Sequence, residues 1–193
     1  MAGRIQFGTR AVLAYALALT GLAGVLAAMG RPWWCSGGEP WPWSGEVWSM
    51  HNSQHLLDPY AVTHVTHGLV YYLVLRLALG RRLDESARLV LAVAIEVTWE
   101  VIENTTLVVE RYRAVTSSLD YFGDSIANSL GDVVACTLGY LLAMRMPWRR
   151  TLVAIVVLET LMAVWIRDGL FLNIVMLLYP VDALRTWQTG VAP

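Results

Sequence analysis

Two histidines three residues apart and two acidic residues with the same spacing are the side chains of this sequence best suited to chemistry. His64 and His67 lie in the run HVTHG, and Glu100 and Glu103 lie in WEVIEN. In a helix, a spacing of three or four residues places side chains on one face. Neutral imidazoles and carboxylates from neighbouring helices are ligands for zinc, iron or manganese. The two runs therefore predict a divalent metal site or, without a metal, a general acid and base pair.

A third polar run, DYFGDSIANSLGD, extends this set. Its members recur at every fourth position and so follow one side of a predicted helix: Asp120, Asp124, Asn128 and Asp132. The predicted metal ligands are His64, His67, Glu103, Asp120 and Asp124. The predicted catalytic residues are His64, His67, Glu100, Glu103 and Asp124. A structural network, in which carboxylates pair with Arg and His to hold a helix bundle together, is the alternative.

Guanidinium and amide side chains near these runs could hold a polar substrate. Arginine matches phosphate and carboxylate groups in bidentate geometry. The predicted substrate-binding residues are Arg111, Arg167, Asn104 and Asn128. For Arg111, anchoring at a membrane interface is the alternative. A preceding loop contains polar residues that could cap the same cavity, although a solvated loop would contain the same types: His51, Asn52, Gln54 and His55.

The composition indicates that helices in a membrane must position these groups. Hydrophobic residues make up 56% of the 193 residues and charged residues only 15%, whereas soluble domains are nearer a quarter charged. The formal net charge of −1 leaves no basic surface for nucleic acid. The sequence therefore predicts an all-α, polytopic membrane helix bundle that forms a single integral membrane domain over residues 1–193, with the lipid bilayer as its partner.

Five apolar segments are long enough to cross a bilayer as helices: residues 11–30, 60–79, 88–108, 121–144 and 150–167. The first could instead be a signal peptide, but its 19 uncharged residues exceed the usual apolar region of about 7 to 15. Residues 31–59 are rich in Trp, Pro and Gly and are predicted to form an outer loop at the membrane surface. Residues 169–180 are too short for a crossing and are predicted to be re-entrant or interfacial, with a sixth helix as the alternative.

The arginines near the ends of these segments predict the orientation. One side would carry nine of them: Arg4, Arg10, Arg76, Arg81, Arg82, Arg88, Arg145, Arg149 and Arg150. The other side would carry five: Arg31, Arg111, Arg113, Arg167 and Arg185. The amino terminus is therefore predicted to be cytoplasmic and the carboxyl terminus periplasmic. In this orientation the histidines and carboxylates share one level in the outer half of the bilayer.

Several runs resemble an uncharacterised family of bacterial multi-pass inner-membrane proteins: NSQH at 52–55, HVTHG at 64–68, WEVIEN at 99–104, ERYR at 110–113 and DYFGDSIANSLGD at 120–132. This resemblance covers most of the chain after Trp43 and implies a bacterial inner-membrane location without an assigned activity. The fourth segment is also similar to the D-D-N-G pattern of VanZ-like membrane proteins, although Asp132 departs from it. That similarity implies a role in the cell envelope, associated with antibiotic resistance.

Three functions are consistent with these observations. The first is a metal-assisted hydrolase or transferase that acts on a lipid-linked envelope substrate. The second is a non-catalytic envelope component that binds an amphiphilic ligand, a peptide or a partner protein through the Trp-rich loop. The third is a proton-coupled transporter that uses Glu96, Glu100 and Glu159. The sequence does not decide whether the protein is an enzyme, which metal it would bind, or whether it forms an oligomer.

Overall fold

A computed structural model describes residues 8–116 and 120–190, and its regular structure is helical, as the sequence predicts. Arg4, which contributes to the predicted orientation, lies outside these residues. The described helices are α1 (Thr9–Ala28), α2 (Tyr60–Leu79), α3 (Glu85–Glu103), α4 (Thr106–Val115), α5 (Ile126–Met144), α6 (Trp148–Trp165), α7 (Leu170–Leu178) and α8 (Asp182–Thr189).

Helix α2 lies at the centre of the bundle, where it packs against α3, α5, α6 and α7. Its approach to α5 is very close because glycines face backbone across the contact. A Cβ atom added at Gly68 would lie 1.9 Å from the carbonyl oxygen of Cys136, and one added at Gly139 would lie 2.1 Å from that of Val65. Small residues of this kind allow membrane helices to bring their backbones together. The α2–α5 contact fixes how deeply the α2 histidines lie relative to α5.

The exposed surfaces of several helices are apolar enough for lipid. Helices α1, α2 and α5 each have the length and hydropathy of a membrane span, and α6 with α7 would supply a fourth if that bent pair is one span. Leu77 is 90% exposed and Val164 is 79% exposed. Large apolar side chains exposed in this way suit a hydrocarbon environment. The fold is therefore compatible with a polytopic membrane bundle, and the fifth predicted crossing, which α3 would supply, stays a prediction.

Two predicted segments have different boundaries in the structure. The predicted segment 88–108 is interrupted, because α3 ends at Glu103 and α4 begins at Thr106. The predicted segment 121–144 begins later, because Gly123 has a φ of +87° and Ser125 accepts a hydrogen bond from the Asn128 amide at 3.1 Å as the helix cap. Asp120 and Asp124 therefore precede α5, and only two of the four residues in the predicted polar line lie on that helix.

The carboxyl-terminal part contains a short, sharply angled helix. Helix α7 has nine residues and makes an angle of 72° with α6, which fits the predicted re-entrant or interfacial segment. The Glu159 carboxylate of α6 accepts hydrogen bonds from the amides of Leu170 at 3.3 Å and Phe171 at 3.0 Å. These bonds satisfy amides that a helix start otherwise leaves unpaired. Glu159 therefore fixes the start of α7 beside α2.

The segment 31–59 folds over one end of the bundle, with a single parallel bridge between Trp43 and Leu57 among its described residues. The Trp43 ring stacks on Trp165 with 6.3 Å between ring centroids. Residues 52–55 are buried, whereas Trp33 and Trp41 are 63% and 67% exposed. The loop thus presents tryptophans outward, as the predicted interface anchor would, and polar residues inward.

Candidate metal centre in the bundle

The predicted polar residues converge at one end of the bundle. The first half of α2, the end of α3 and the start of α5 meet there, and α4, α7 and the 31–59 segment close the space between them. They enclose a cavity of about 70 Å³ whose polar lining includes Asn52, Ser53, His64, His67, Glu103, Asp124 and Asp132. A cavity of this size accommodates an ion with one or two water molecules.

Glu96 of α3 holds both histidines of α2 by the same nitrogen of each ring. The His64 Nδ1 atom lies 2.6 Å from Glu96 Oε1, and His67 Nδ1 lies 3.0 Å from Glu96 Oε2. The two imidazole centroids are 4.8 Å apart. The predicted pairing of the histidines on one face is correct. Because Nδ1 is engaged in each ring, Nε2 is the atom left for a ligand or a proton.

Two further carboxylates lie near His64, one beside each nitrogen of its ring. Glu100 Oε1 lies 3.6 Å from His64 Nδ1, and Asp132 Oδ2 lies 3.8 Å from His64 Nε2. Three buried carboxylate oxygens have no hydrogen-bond partner within residues 8–116 and 120–190: both oxygens of Glu100 and Oδ1 of Asp132. A buried carboxylate without a partner is costly. This arrangement therefore favours a cation between the three groups.

Two overlapping groups of these residues have the spacing of metal ligands. One contains His64, His67 and Glu96, and the other contains His64, Glu100 and Asp132, with one ligand atom from each residue within 4.8 Å of the others. The second group fits an ion better because both oxygens of Glu100 and Oδ1 of Asp132 lack hydrogen-bond partners among the described residues. In the second group, His64 would bind the ion, and Glu96 would accept the N–H of its other ring nitrogen. Such a carboxylate fixes the orientation of a metal-binding histidine.

Asp124, which the sequence predicts as a catalytic residue and a ligand, has both carboxylate oxygens occupied. Tyr121 donates its hydroxyl to Oδ1 at 3.0 Å, and Asn104 donates its amide to Oδ2 at 2.8 Å. The side-chain oxygen of Asn104, Oδ1, accepts the Asp124 backbone N–H at 2.8 Å. Burial raises the pKa of Asp124 above its ordinary value, in spite of these hydrogen bonds. In this arrangement Asp124 joins the end of α3 to the segment before α5.

The other predicted site residues lie at different distances from the cavity. Glu103 lines it, whereas Asp120 is exposed and is not among the lining residues. Arg111 Nε donates to the Leu177 carbonyl at 3.0 Å and so joins α4 to α7. Arg167 is exposed and donates to the Trp187 carbonyl at 3.2 Å. Asn128 donates to the His55 carbonyl at 2.9 Å. The structure thus brings the histidines and Glu103 together but leaves the two arginines at the periphery.

Two residues at the centre of the cluster are absent from the predicted site. The sequence predicts Glu96 on the polar face of its helix and as a candidate proton relay, and Asp132 as the last member of the polar line, but neither as a ligand or a catalytic residue. Glu96 precedes Glu100 by four residues and therefore shares its helical face. That spacing was a usable signal. The α2–α5 register, which brings Asp132 beside His64, has no comparable signal in the sequence.

The loop supplies the outer wall of the cavity. Asn52 and Ser53 line it, and Gln54 Nε2 donates to the Gly123 carbonyl at 2.7 Å. Asp58 holds the loop against α2, accepting the amides of Ser53 at 3.0 Å and Tyr60 at 2.8 Å. Burial and the nearby negative charge of Asp124 raise the pKa of Asp58 to about 7. The loop is therefore an integral part of the site.

Comparison with known proteins places this architecture in a family. A family model described as a protein of unknown function, DUF2585, matches residues 26–190. A UPF0314 protein of Rhizobium meliloti is 48% identical, over 91% of this chain and 92% of the relative. A UPF0314 protein of Paracoccus denitrificans is 44% identical over 97% and 98%, and one of Sphingopyxis alaskensis is 41% identical over 88% and 89%. No solved structure matches.

Proposed function

The chain belongs to the DUF2585 family, and we propose that it is an inner-membrane enzyme that binds a divalent metal ion in the bundle cavity and hydrolyses or transfers a group of a lipid-linked envelope substrate. The ion would be held by His64 and Asp132, which line the cavity, and by Glu100 beside them. The amino terminus is cytoplasmic and the cavity lies on the periplasmic side, as the arginine distribution predicts.

The observation that carries this proposal is the pair of unengaged oxygens on Glu100. Glu100 is fully buried, and its oxygens lack hydrogen-bond partners among the described residues. His64 of α2 and Asp132 of α5 each offer a ligand atom within 4.8 Å of one of them. A structural network would be expected to satisfy such an oxygen with a hydroxyl or amide. An ion bound by the two carboxylates and one imidazole nitrogen offsets the repulsion between the carboxylates and supplies a partner for otherwise unsatisfied oxygens.

The residues beside the ligands have separate roles in the proposed reaction. A bound zinc, iron or manganese ion would supply an activated water molecule at neutral pH. His67, held through Nδ1 by Glu96, presents Nε2 for accepting or donating a proton. Glu96 fixes both rings. Asp124, engaged by Tyr121 and Asn104, keeps the end of α3 and the loop before α5 in register.

The lining of the cavity indicates the class of substrate. Helix α7 contributes apolar side chains to this lining, Leu170, Ile174 and Leu177, and α3 contributes Trp99. A volume of about 70 Å³ admits only the reacting group, so the rest of the substrate would remain outside. An ester or phosphate group attached to a lipid satisfies both conditions, because its acyl chains can stay in the bilayer.

Metal content and turnover test the proposal directly. The detergent-purified protein, stripped with a chelator and reloaded, should retain zinc, iron or manganese, and His64→Asn with Glu100→Gln should lose one equivalent of bound metal relative to the wild type. Reconstituted into phospholipid vesicles, the wild type should cleave p-nitrophenyl acyl esters or p-nitrophenyl phosphate in a metal-dependent manner. His67→Asn should reduce the rate by roughly a hundredfold or more. A protein that binds none of these metals at this site, or that turns over neither probe nor vesicle lipid, contradicts it.

The exposed tryptophans of the loop support a second candidate, a non-catalytic component that binds an amphiphile or a partner protein. Trp33, Trp41 and Trp48 are each more than half exposed, and such rings are suited to lipid head groups and interfaces. Loss of ligand-induced thermal protection in Trp33→Ala with Trp41→Ala, but not in His64→Asn, would favour this candidate over the enzyme.

A further inference from the structure

A second cluster of metal-ligating residues lies in the loop and is separate from the bundle centre. Cys35, His51 and His55 each offer one ligand atom within 4.8 Å of the others. The Cys35 Sγ atom lies 3.3 Å from His51 Nδ1. Two tetrahedral zinc ligands, a sulfur and a nitrogen, are separated by about 3.5 Å. The thiol and the imidazole are therefore already spaced as ligands of one ion.

His55 provides an observation that points to a ligand independently of this spacing. The residue is 1% exposed, and its Nδ1 atom lies 2.6 Å from the Trp41 carbonyl oxygen. Because a carbonyl only accepts, Nδ1 carries the proton and Nε2 has the lone pair. Within the described part of the chain, that buried Nε2 has no hydrogen-bond partner. Histidines that bind metals commonly donate their other N–H to a backbone carbonyl in this way.

We infer that Cys35, His51 and His55 form a structural zinc site that fixes the loop over the bundle cavity. The fourth ligand is Glu39, whose Oε2 atom lies 3.8 Å from His51 Nδ1, or a water molecule. One thiolate with two imidazoles is the ligand set that zinc prefers over harder ions such as magnesium or calcium. This site does not depend on the proposed enzymatic function.

The position of the site gives the ion a structural role. Between two of its ligands, Asn52 and Ser53 line the bundle cavity, and the Ser53 carbonyl accepts the Ser125 amide at 2.9 Å. The His55 carbonyl accepts the Asn128 side chain at 2.9 Å. An ion that joins Cys35 to His51 and His55 therefore holds both ends of the segment that forms the cavity wall.

Cobalt provides a test that reports on the thiolate ligand alone. A Co²⁺ ion bound by a cysteine thiolate shows a charge-transfer absorption in the near ultraviolet that an ion bound only by imidazole and carboxylate does not. The full-length protein in detergent, freed of metal and titrated with Co²⁺, should develop this band. Cys35→Ser should abolish it, and His55→Asn should weaken Co²⁺ binding by at least about tenfold.

Two control variants make the band specific for the loop. Cys136→Ser removes the other cysteine of the chain, whose thiol neighbours Glu96, and should retain the band. Glu100→Gln disrupts the bundle centre and should also retain it, so failure of the proposed enzymatic site is distinguishable from failure of the loop site. A band that persists in Cys35→Ser, or its absence from the wild type, overturns the inference.

A second measurement uses the unmodified protein, in case Cys35→Ser does not fold. Iodoacetamide should alkylate Cys35 slowly with bound zinc and at least tenfold faster after chelation, as measured by mass spectrometry of the peptides. Cys136 provides an internal reference because it is buried in α5. An alkylation rate at Cys35 that is unchanged by zinc contradicts the site and leaves a plain thiol–imidazole contact.

Discussion

Replacing Glu100 with methionine should change stability in opposite directions without and with metal. Methionine has a similar volume and no atoms that require hydrogen bonds. In the metal-free protein, Glu100→Met removes a fully buried carboxyl group whose two oxygens lack partners among the described residues. It also removes a carboxyl group that lies close to that of Asp132. The variant without metal should therefore be more stable than the wild type.

The expected size follows from the cost of an unsatisfied buried polar group. That cost is about 1–3 kcal/mol, which for a chain of this length corresponds to an increase in Tm of about 2–12 °C. For the wild type, an ion at a hundred times its Kd adds about 2.7 kcal/mol. The variant lacks a ligand and should lose most of that increment. The order of the two melting temperatures should therefore invert, or the gap between them close, when metal is added.

The assay is thermal unfolding of the purified protein in detergent, with a chelator and then with manganese, which carboxylates bind and the thiolate of the loop site disfavours. Glu110→Met is the matched control, because Glu110 is exposed on α4 and its replacement should change stability by less than about 0.5 kcal/mol in either condition. If Glu100→Met lowers the metal-free Tm, the carboxyl group is satisfied and the reasoning fails. It also fails if the variant keeps the full metal-dependent increase.

Three further predictions concern the elements that position the site. Gly68→Val should destabilise the protein by about 1–3 kcal/mol or more, because its Cβ would lie 1.9 Å from the Cys136 carbonyl oxygen. Gly24→Val is the control, because Gly24 has open space around it. Equal Tm values for the two variants would contradict the close packing. Burial raises the pKa of Asp58 from 3.8 to about 7, so between these pH values the folded state binds more protons than the unfolded state. Stability should therefore fall as pH rises through that window. Asp58→Asn should flatten this pH dependence of the Tm, and an unchanged slope would contradict the prediction. Glu159→Ala should cost about 0.5–2 kcal/mol and speed hydrogen exchange at the Leu170 and Phe171 amides; unchanged protection there would show that the cap is not needed.

The helices that carry the site were largely predictable because their patterns are local. The segment 60–79 coincides with α2, and its three-residue histidine spacing places both rings against Glu96. The break after Glu103 was missed because its cause is tertiary: the Asn104 side chain, which caps α3, bonds both the backbone and the carboxylate of Asp124. The start of α5 had a local signal, since Gly123 and Ser125 form a turn and a helix cap.

The structure brings together only part of the predicted ligand set, and the reason is the register between α2 and α5. The position of each residue along its helix predicts that the histidines of α2 and the glutamates of α3 lie at one level. It does not predict which residues of α5 face α2. That choice depends on the glycine contacts of Gly68 and Gly139 with backbone across the interface, which select Asp132 as the neighbour of His64. The loop cluster was harder to predict, because Cys35 and His51 meet through folding of a segment with almost no regular structure.

Charge in the bundle centre connects the metal hypothesis with the transporter alternative. Three carboxylates, Glu96, Glu100 and Asp132, surround two imidazoles. The cluster has the same net charge when both imidazoles are protonated as when both are neutral and one divalent ion is bound. Metal and protons should therefore compete for the cluster. A transporter would need a further relay group to receive those protons. Glu159, which the sequence offers for that step, instead has its carboxylate engaged by the first amides of α7, so the exchange is better suited to loading a fixed ion than to moving protons through the bundle.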